Sequence, residues 1–187
     1  VRGAEGAQRV HDVERVAGQA PAALVDGSGE VEAHEIGVGR DRRAMDLDVV
    51  ATTEVLLEGT EPAIRGRETA LGDLLCDVLR ERLGTDLAFV NGGAIRVNDD
   101  VPAGGNLRVY ELEGIFYYDD KPVIFELTGR ELLALLEKSV SQATLGHGRF
   151  LQIAGLRFRY HVAADGTTRV DAADVAVRLH GEAGFAP

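Results

Sequence analysis

The sequence predicts one α/β domain, or an α+β domain with a mixed sheet, running from about residue 46 to the end. Three observations carry that prediction. Two stretches have helical periodicity, Thr69 to Leu83 and the run after Thr128. Short apolar or alternating stretches lie before, between and after them, as strands do. The first 45 residues lack this pattern altogether: they contain no Phe, Tyr or Trp and a single leucine, Leu24. Helices interleaved with short strands point to layered α/β packing around one core.

Within residues 1–45, short strands are placed at Ala22–Val25 and Val31–Ile36. The segment is otherwise read as loosely ordered, or as a shifted reading frame from GC-rich DNA. From Leu47 to Leu57, Val49, Val50, Val55, Leu56 and Leu57 predict one or two strands. In the first helix Leu71, Leu74, Leu75, Val78, Leu79 and Leu83 recur at three- and four-residue steps, and Gly84 can close the end. Asp86–Val90 reads as a strand running into the turn Asn91-Gly92-Gly93, and Gly104-Gly105 marks a second turn. Leu107–Phe116 reads as a short strand leading into a helix, and Pro122–Leu127 as a strand. Thr128-Gly129-Arg130-Glu131 is a capping box, with Thr128 able to accept a backbone N–H and Glu131 able to reach back. It opens a helix carried by Leu132, Leu133, Leu135, Leu136 and Val140. Phe150–Ile153, Leu156–Val162 and Val170–Leu179 complete the strands.

Composition narrows the function. The chain is 45% hydrophobic and 27% charged, as globular proteins are, with a net charge of −11. That charge disfavours a nucleic-acid polymer or an anionic membrane, since both need a surplus of Lys and Arg. A single nucleotide needs only a few placed arginines and stays open. The one cysteine, Cys76, cannot make an internal disulfide and reads as a small buried residue. No apolar run approaches the roughly 20 residues of a membrane span, and no signal peptide stands at Val1. The sequence is accordingly expected to be a processed product or a piece of a longer protein.

The residues with chemical promise cluster in three stretches. Asn91-Gly92-Gly93-Ala94-Ile95-Arg96 follows an apolar strand, where two glycines let a backbone approach a ligand and point amides at it. Asn91 offers a donor and an acceptor, and Arg96 a planar cationic fork. Alone, this is an ordinary strand-ending turn with an exposed arginine. Two flanks change that reading. Arg65-Gly66-Arg67-Glu68-Thr69 precedes the first long helix, with Glu68 placed to pair with an arginine, and Gly148-Arg149-Phe150-Leu151-Gln152-Ile153-Ala154-Gly155 follows the second. In the latter, Phe150, Leu151 and Ile153 are expected to pack, Gly155 to permit a tight bend, and Arg149 and Gln152 to support the site. Phe116-Tyr117-Tyr118 offers flat faces for a base, stacking being worth about 1–3 kcal/mol, or else is a core cluster.

These three stretches together resemble the C-terminal, substrate-binding domain of the 5'-nucleotidase family, over about residues 46–178. The resemblance implies an α/β/β/α layered domain, with residues 46–187 as that domain truncated at its C-terminal end and residues 1–45 poorly matched. It implies that Arg65, Asn91 and Arg96 contact the nucleotide, with Gly92 and Gly93 in the same loop and Arg67 a weaker candidate. Counting back from Leu127-Thr128-Gly129 sets Tyr118 at the family's base-stacking phenylalanine, although Tyr117 replaces the usual proline. Asp73 stands where the family more often has asparagine. Asp77 matches a recurrent aspartate, expected to be a structural hydrogen-bond partner.

The family's metal motifs, D-x-H, G-N-H-x-[FD] and G-H-x-H, are not in this sequence. Of the five histidines, His11, His34, His147, His161 and His180, none falls in one, and Gly146-His147-Gly148 reads as a surface turn. The late N-G-G-D-G-[FY] stretch is missing too. The chain itself is therefore expected to hold no cofactor, bind weakly and catalyse nothing. Two divalent metal ions, about 3.5–4 Å apart, are expected in an N-terminal metallophosphoesterase partner domain. The resemblance implies a nucleotide or nucleoside substrate and a periplasmic, secreted or cell-surface location. Alternatives are a stand-alone nucleotide-binding module, or the substrate domain of a cyclic-nucleotide phosphodiesterase, nucleotide-sugar hydrolase or sulfur-oxidation hydrolase.

Overall fold

A computed structural model describes residues 9–13, by their backbone, and residues 49–186. The strands proposed at Ala22–Val25 and Val31–Ile36 lie outside the described residues. In chain order the elements are β1 (Arg9–Val13), β2 (Val49–Thr52), α1 (Glu61–Ile64), α2 (Ala70–Leu83), β3 (Ala88–Asn91), β4 (Asn106–Arg108), α3 (Val109–Ile115), α4 (Gly129–Val140), a 3-10 turn (Ala143–Leu145), β5 (Leu151–Ala154), β6 (Leu156–Val162) and β7 (Thr168–Val177). The α/β class holds. The described strands, however, form three antiparallel groups, β1-β6-β7, β2-β4 and β3-β5, where the sequence suggested a mixed sheet.

Helix α2 forms as its period demands. Thr69 caps it, its side chain accepting the Gly72 N–H at 3.1 Å, and Gly84 closes it at φ 61° in the left-handed region, where a side chain is costly. Leu71, Leu75 and Cys76 are buried, whereas Val78, counted with the apolar face, is half exposed to solvent. Helix α4 opens on the capping box: Thr128 accepts the Glu131 N–H and Glu131 accepts the Thr128 N–H at 2.9 Å. These backbone and side-chain hydrogen bonds hold the Glu131 carboxyl below its usual range.

Two main clusters form the core. Leu132, Leu136 and Val140 of α4 pack on Phe150 and Ile153 and on one face of β6. That strand alternates strictly: Leu156, Phe158, Tyr160 and Val162 point inward while Arg157 and Arg159 face out. Burial pushes the Tyr160 hydroxyl up. The second cluster joins Leu57, Ile64, Leu71, Leu75, Ile95, Val101, Leu107 and Ile115.

The predicted strand Pro122–Leu127 is not formed. Residues 117–128 carry no helix or strand, and Val123, Ile124 and Phe125 are exposed at 76%, 63% and 58%. Apolar side chains become a strand only with a partner to take their backbone hydrogen bonds, and this segment pairs with none of the described strands. The strand–helix reading of Leu107–Phe116 holds, as β4 followed directly by α3.

Candidate functional site

The three stretches meet, and Gln152 joins two of them. Its side chain is fully buried, and its amide hydrogen-bonds the end of α1 and the loop before α2. Nε2 donates to the carbonyls of Ile64 at 2.9 Å and Arg67 at 2.8 Å, while Oε1 accepts the Thr69 N–H at 3.0 Å. The path of the chain through Arg65 is thereby fixed from β5. The Cβ of any residue at Gly72 would lie 2.0 Å from Gln152 Oε1, which explains the glycine one turn into α2.

The Asn-Gly-Gly turn closes against the same strand. Gly92 N–H donates to Phe150 O at 2.7 Å and Gly93 N–H to Gly148 O at 2.8 Å. Both amides are therefore spent inside the protein, contrary to the expectation that they point at a ligand. The glycines answer to packing instead: a Cβ at Gly92 would come 2.2 Å from Ile64 O, and one at Gly93 3.1 Å from Gly148 Cα. Asn91 lies at the end of β3, exposed, with Nδ2 donating to Gly148 O at 3.3 Å. Its carboxamide also borders an open pocket of about 410 Å³, lined further by Leu135, Lys138, Ser139, His147, Gly148, Arg149 and Leu151. Arg149 leans over His147, its Nε donating to Nδ1 at 3.3 Å, so the Gly146-His147-Gly148 turn belongs to the pocket wall.

Arg65 and Arg96 converge. Nη2 of Arg65 and Nη1 of Arg96 lie 2.7 Å and 3.2 Å from the same oxygen, Oε1 of Glu61. Glu61 was not read from the sequence as a site residue, although its i,i+4 spacing from Arg65 was visible there. Its helix α1 is anchored from a distance: Asn98 accepts the Glu61 N–H at 3.0 Å, and Asp100 accepts the Gly59 N–H at 2.8 Å. The Arg65 Nε is buried with no hydrogen-bond partner and runs beside Gly148. Arg67 turns the other way and forks onto Glu58, Nη1 to Oε2 at 2.7 Å and Nη2 to Oε1. That pairing holds the Glu58 carboxyl low and the Arg67 guanidinium high.

No hydrogen bond or ring contact joins Tyr118 to this group among the described residues. It stands half exposed, edge-to-face with Tyr117 at 5.1 Å between ring centres, and Phe116 and Tyr117 are more exposed still. The reading of these aromatics as a core cluster is thereby excluded. Cys76 is the buried small residue expected, and burial pushes its thiol well up.

Comparison with known proteins bears on the family and the fold. Residues 49–183 match the family model of the 5'-nucleotidase C-terminal domain. The chain is similar to the trifunctional nucleotide phosphoesterase protein YfkN of Bacillus subtilis, 30% identical over 59% of the chain and 8% of that protein. It is similar also to the 5'-nucleotidase of Diplobatis ommata, 28% identical over 68% of the chain and 24% of that protein. The crystal structure of a 5'-nucleotidase precursor from Thermus thermophilus superposes with a TM-score of 0.64 at 32% identity, over 78% of this chain and 28% of that one. The chain thus spans a quarter or less of the curated relatives it matches here. Its fold, its three motif stretches and the matched family model together assign it to the 5'-nucleotidase family, as that family's C-terminal domain.

Proposed function

We propose that this domain binds the nucleoside part of a nucleotide and presents its phosphate to a separate N-terminal metallophosphoesterase domain. The observation that carries the reading is the convergence of Arg65 and Arg96 on Glu61 Oε1, beside Asn91 on the adjoining strand end. Two guanidiniums aimed at one oxygen suit a ligand rich in hydroxyl or phosphate oxygens. Asn91 supplies a donor and an acceptor at the rim, Gly92 and Gly93 keep the turn slim, and Tyr118 stacks the base. The two divalent ions that would activate water for attack on phosphorus belong, in this reading, to the other domain. The relatives' names, 5'-nucleotidase and nucleotide phosphoesterase, favour a nucleoside phosphate as substrate. Export from the cytoplasm belongs to the same proposal, motivated by the snake venom 5'-nucleotidase of Gloydius brevicauda among the relatives. No described helix is long and apolar enough to cross a membrane.

Titration calorimetry of the chain with adenosine, AMP and inorganic phosphate tests this. Adenosine and AMP should bind, and Arg96→Ala should weaken AMP at least tenfold, in line with the roughly 1.5–3 kcal/mol of a charge-assisted hydrogen bond. Unchanged AMP affinity in both Arg96→Ala and Arg65→Ala would sink the reading. The YfkN similarity favours a second one, a substrate range extending to related phosphoesters; a 2',3'-cyclic nucleotide binding as tightly as AMP would support it.

A further inference from the structure

On the β6–β7 hairpin, outside the group of Arg65, Arg96 and Glu61, His161 faces two carboxylates. Its Nε2 lies 3.3 Å from Asp174 Oδ2 and 3.9 Å from Asp171 Oδ2, and the three ligand atoms are all within 4.8 Å of one another. A shift in strand register builds this cluster. His161 pairs with Arg169 and Tyr160 with Val170, but Phe158 pairs with Val175, so β7 carries extra residues opposite Arg159. In an unbroken ladder Asp171 and Asp174, three apart, would face opposite sides of the sheet. The bulge turns both toward the same imidazole.

Both carboxylates face the same ring nitrogen, and Asp174 Oδ2 is within hydrogen-bond reach of it. Arg169 occupies the outer oxygen of Asp171, its Nε donating to Oδ1 at 2.7 Å, which leaves Oδ2 turned inward. Nδ1 of His161 is buried without a partner, so the ring's other nitrogen, Nε2, is the one presented to the carboxylates. Two carboxylate oxygens and one ring nitrogen thus meet. Neighbouring carboxylate oxygens repel, and a cation held between them relieves that repulsion. In tetrahedral coordination with bonds of about 2.0–2.2 Å, neighbouring ligand atoms lie roughly 3.3–3.6 Å apart. The His161–Asp174 separation already matches, while Asp171 Oδ2, 3.9 Å from Nε2, would have to draw closer.

We propose that His161, Asp171 and Asp174 bind one divalent transition-metal ion of the zinc class, with water completing its shell. Imidazole nitrogen with two carboxylates is a borderline donor set that suits zinc better than calcium, which takes six to eight oxygens. The ion would pin the bulge of β7 to β6 and is separate from the chemistry proposed for the arginine face.

The test is zinc titration of the full, metal-free chain by calorimetry, with thermal unfolding in parallel. The expected result is one zinc ion per chain and a raised Tm, with calcium at the same concentration giving neither. Asp174→Asn, which keeps side-chain shape, and His161→Ala should each weaken zinc by at least the roughly 10–100-fold that losing an outer-shell partner alone can cost. His180→Ala should leave zinc binding unchanged, its ring pairing instead with Glu81. Circular dichroism confirms that each variant is folded. No zinc binding, or binding that survives in both folded variants, overturns the proposal.

Discussion

Gln152 holds Thr69 across 83 positions of sequence, its buried Oε1 accepting the Thr69 backbone N–H at 3.0 Å. Thr69 in turn caps α2 with its side chain, so one buried carboxamide sets both the start of that helix and the loop bearing Arg65. An apolar replacement of equal size leaves one N–H and two carbonyls without partners. Gln152→Leu is expected to cost about 3 kcal/mol or more, read as a lower urea midpoint at unchanged m-value.

Gly92→Ala meets backbone, which cannot step aside as a flexible side chain can: the new methyl would lie 2.2 Å from Ile64 O. The expected destabilisation exceeds the roughly 1–3 kcal/mol of ordinary overpacking. Gly129→Ala, where nothing lies within 4 Å, is the control and should be neutral or better. Thermal melts of the two variants check the contrast.

Removing Glu61 frees both arginines at once. Glu61→Ala is expected to tighten binding of inorganic phosphate at least several-fold, since the internal anion no longer competes for Arg65 and Arg96. Calorimetry with phosphate reads this directly, and a weaker phosphate affinity would count against it.

Acid should loosen the Arg67 side of the loop. The Glu58 carboxyl is held below the usual carboxylate range by its hydrogen bond with Arg67. A depressed folded pKa stabilises fully above the unfolded value and is lost as pH falls through the folded one. Stability contributed by this pair is therefore expected to be flat above about pH 5 and to fall below about pH 4.5. Glu58→Gln should flatten that acid slope, measured as Tm against pH, and Arg67→Ala should do the same.

Cys76 should be silent in the native protein. Fully buried, with its thiol pushed up by desolvation, it presents little thiolate at neutral pH. A thiol reagent in mildly alkaline buffer is expected to label none of it within minutes and one equivalent in denaturant.

Much of this was legible in the sequence. The two long helices, the Gly84 end of one and the Thr128 capping box of the other, and the strand at Leu156–Val162 follow from local spacing, which a single chain displays openly, whereas the grouping of the three motif stretches came from the family resemblance. What failed depended on partners. Val123, Ile124 and Phe125 read as part of a strand, but no described strand pairs with them. Gly92 and Gly93 read as amide donors to a ligand, yet Phe150 and Gly148 take those amides. Gln152 looked like a supporting residue, and only tertiary geometry reveals that it ties the loop. The His161 cluster was invisible because a register shift, not a spacing, assembles it.

Gly93 and Gly148 touch backbone to backbone, a Cβ on Gly148 falling 2.8 Å from Gly93 Cα. With no side chain between them to yield, neither loop can shift without carrying the other. Through Ile64, bonded by Gln152 and pressed against Gly92, the arginine loop is coupled to the same block. The face bearing Arg65 and Asn91 therefore behaves as one stiff jaw. In the proposed binding role, adaptation to differently shaped ligands falls to the exposed stretch from Phe116 to Phe125, whose large apolar side chains lie outside the core.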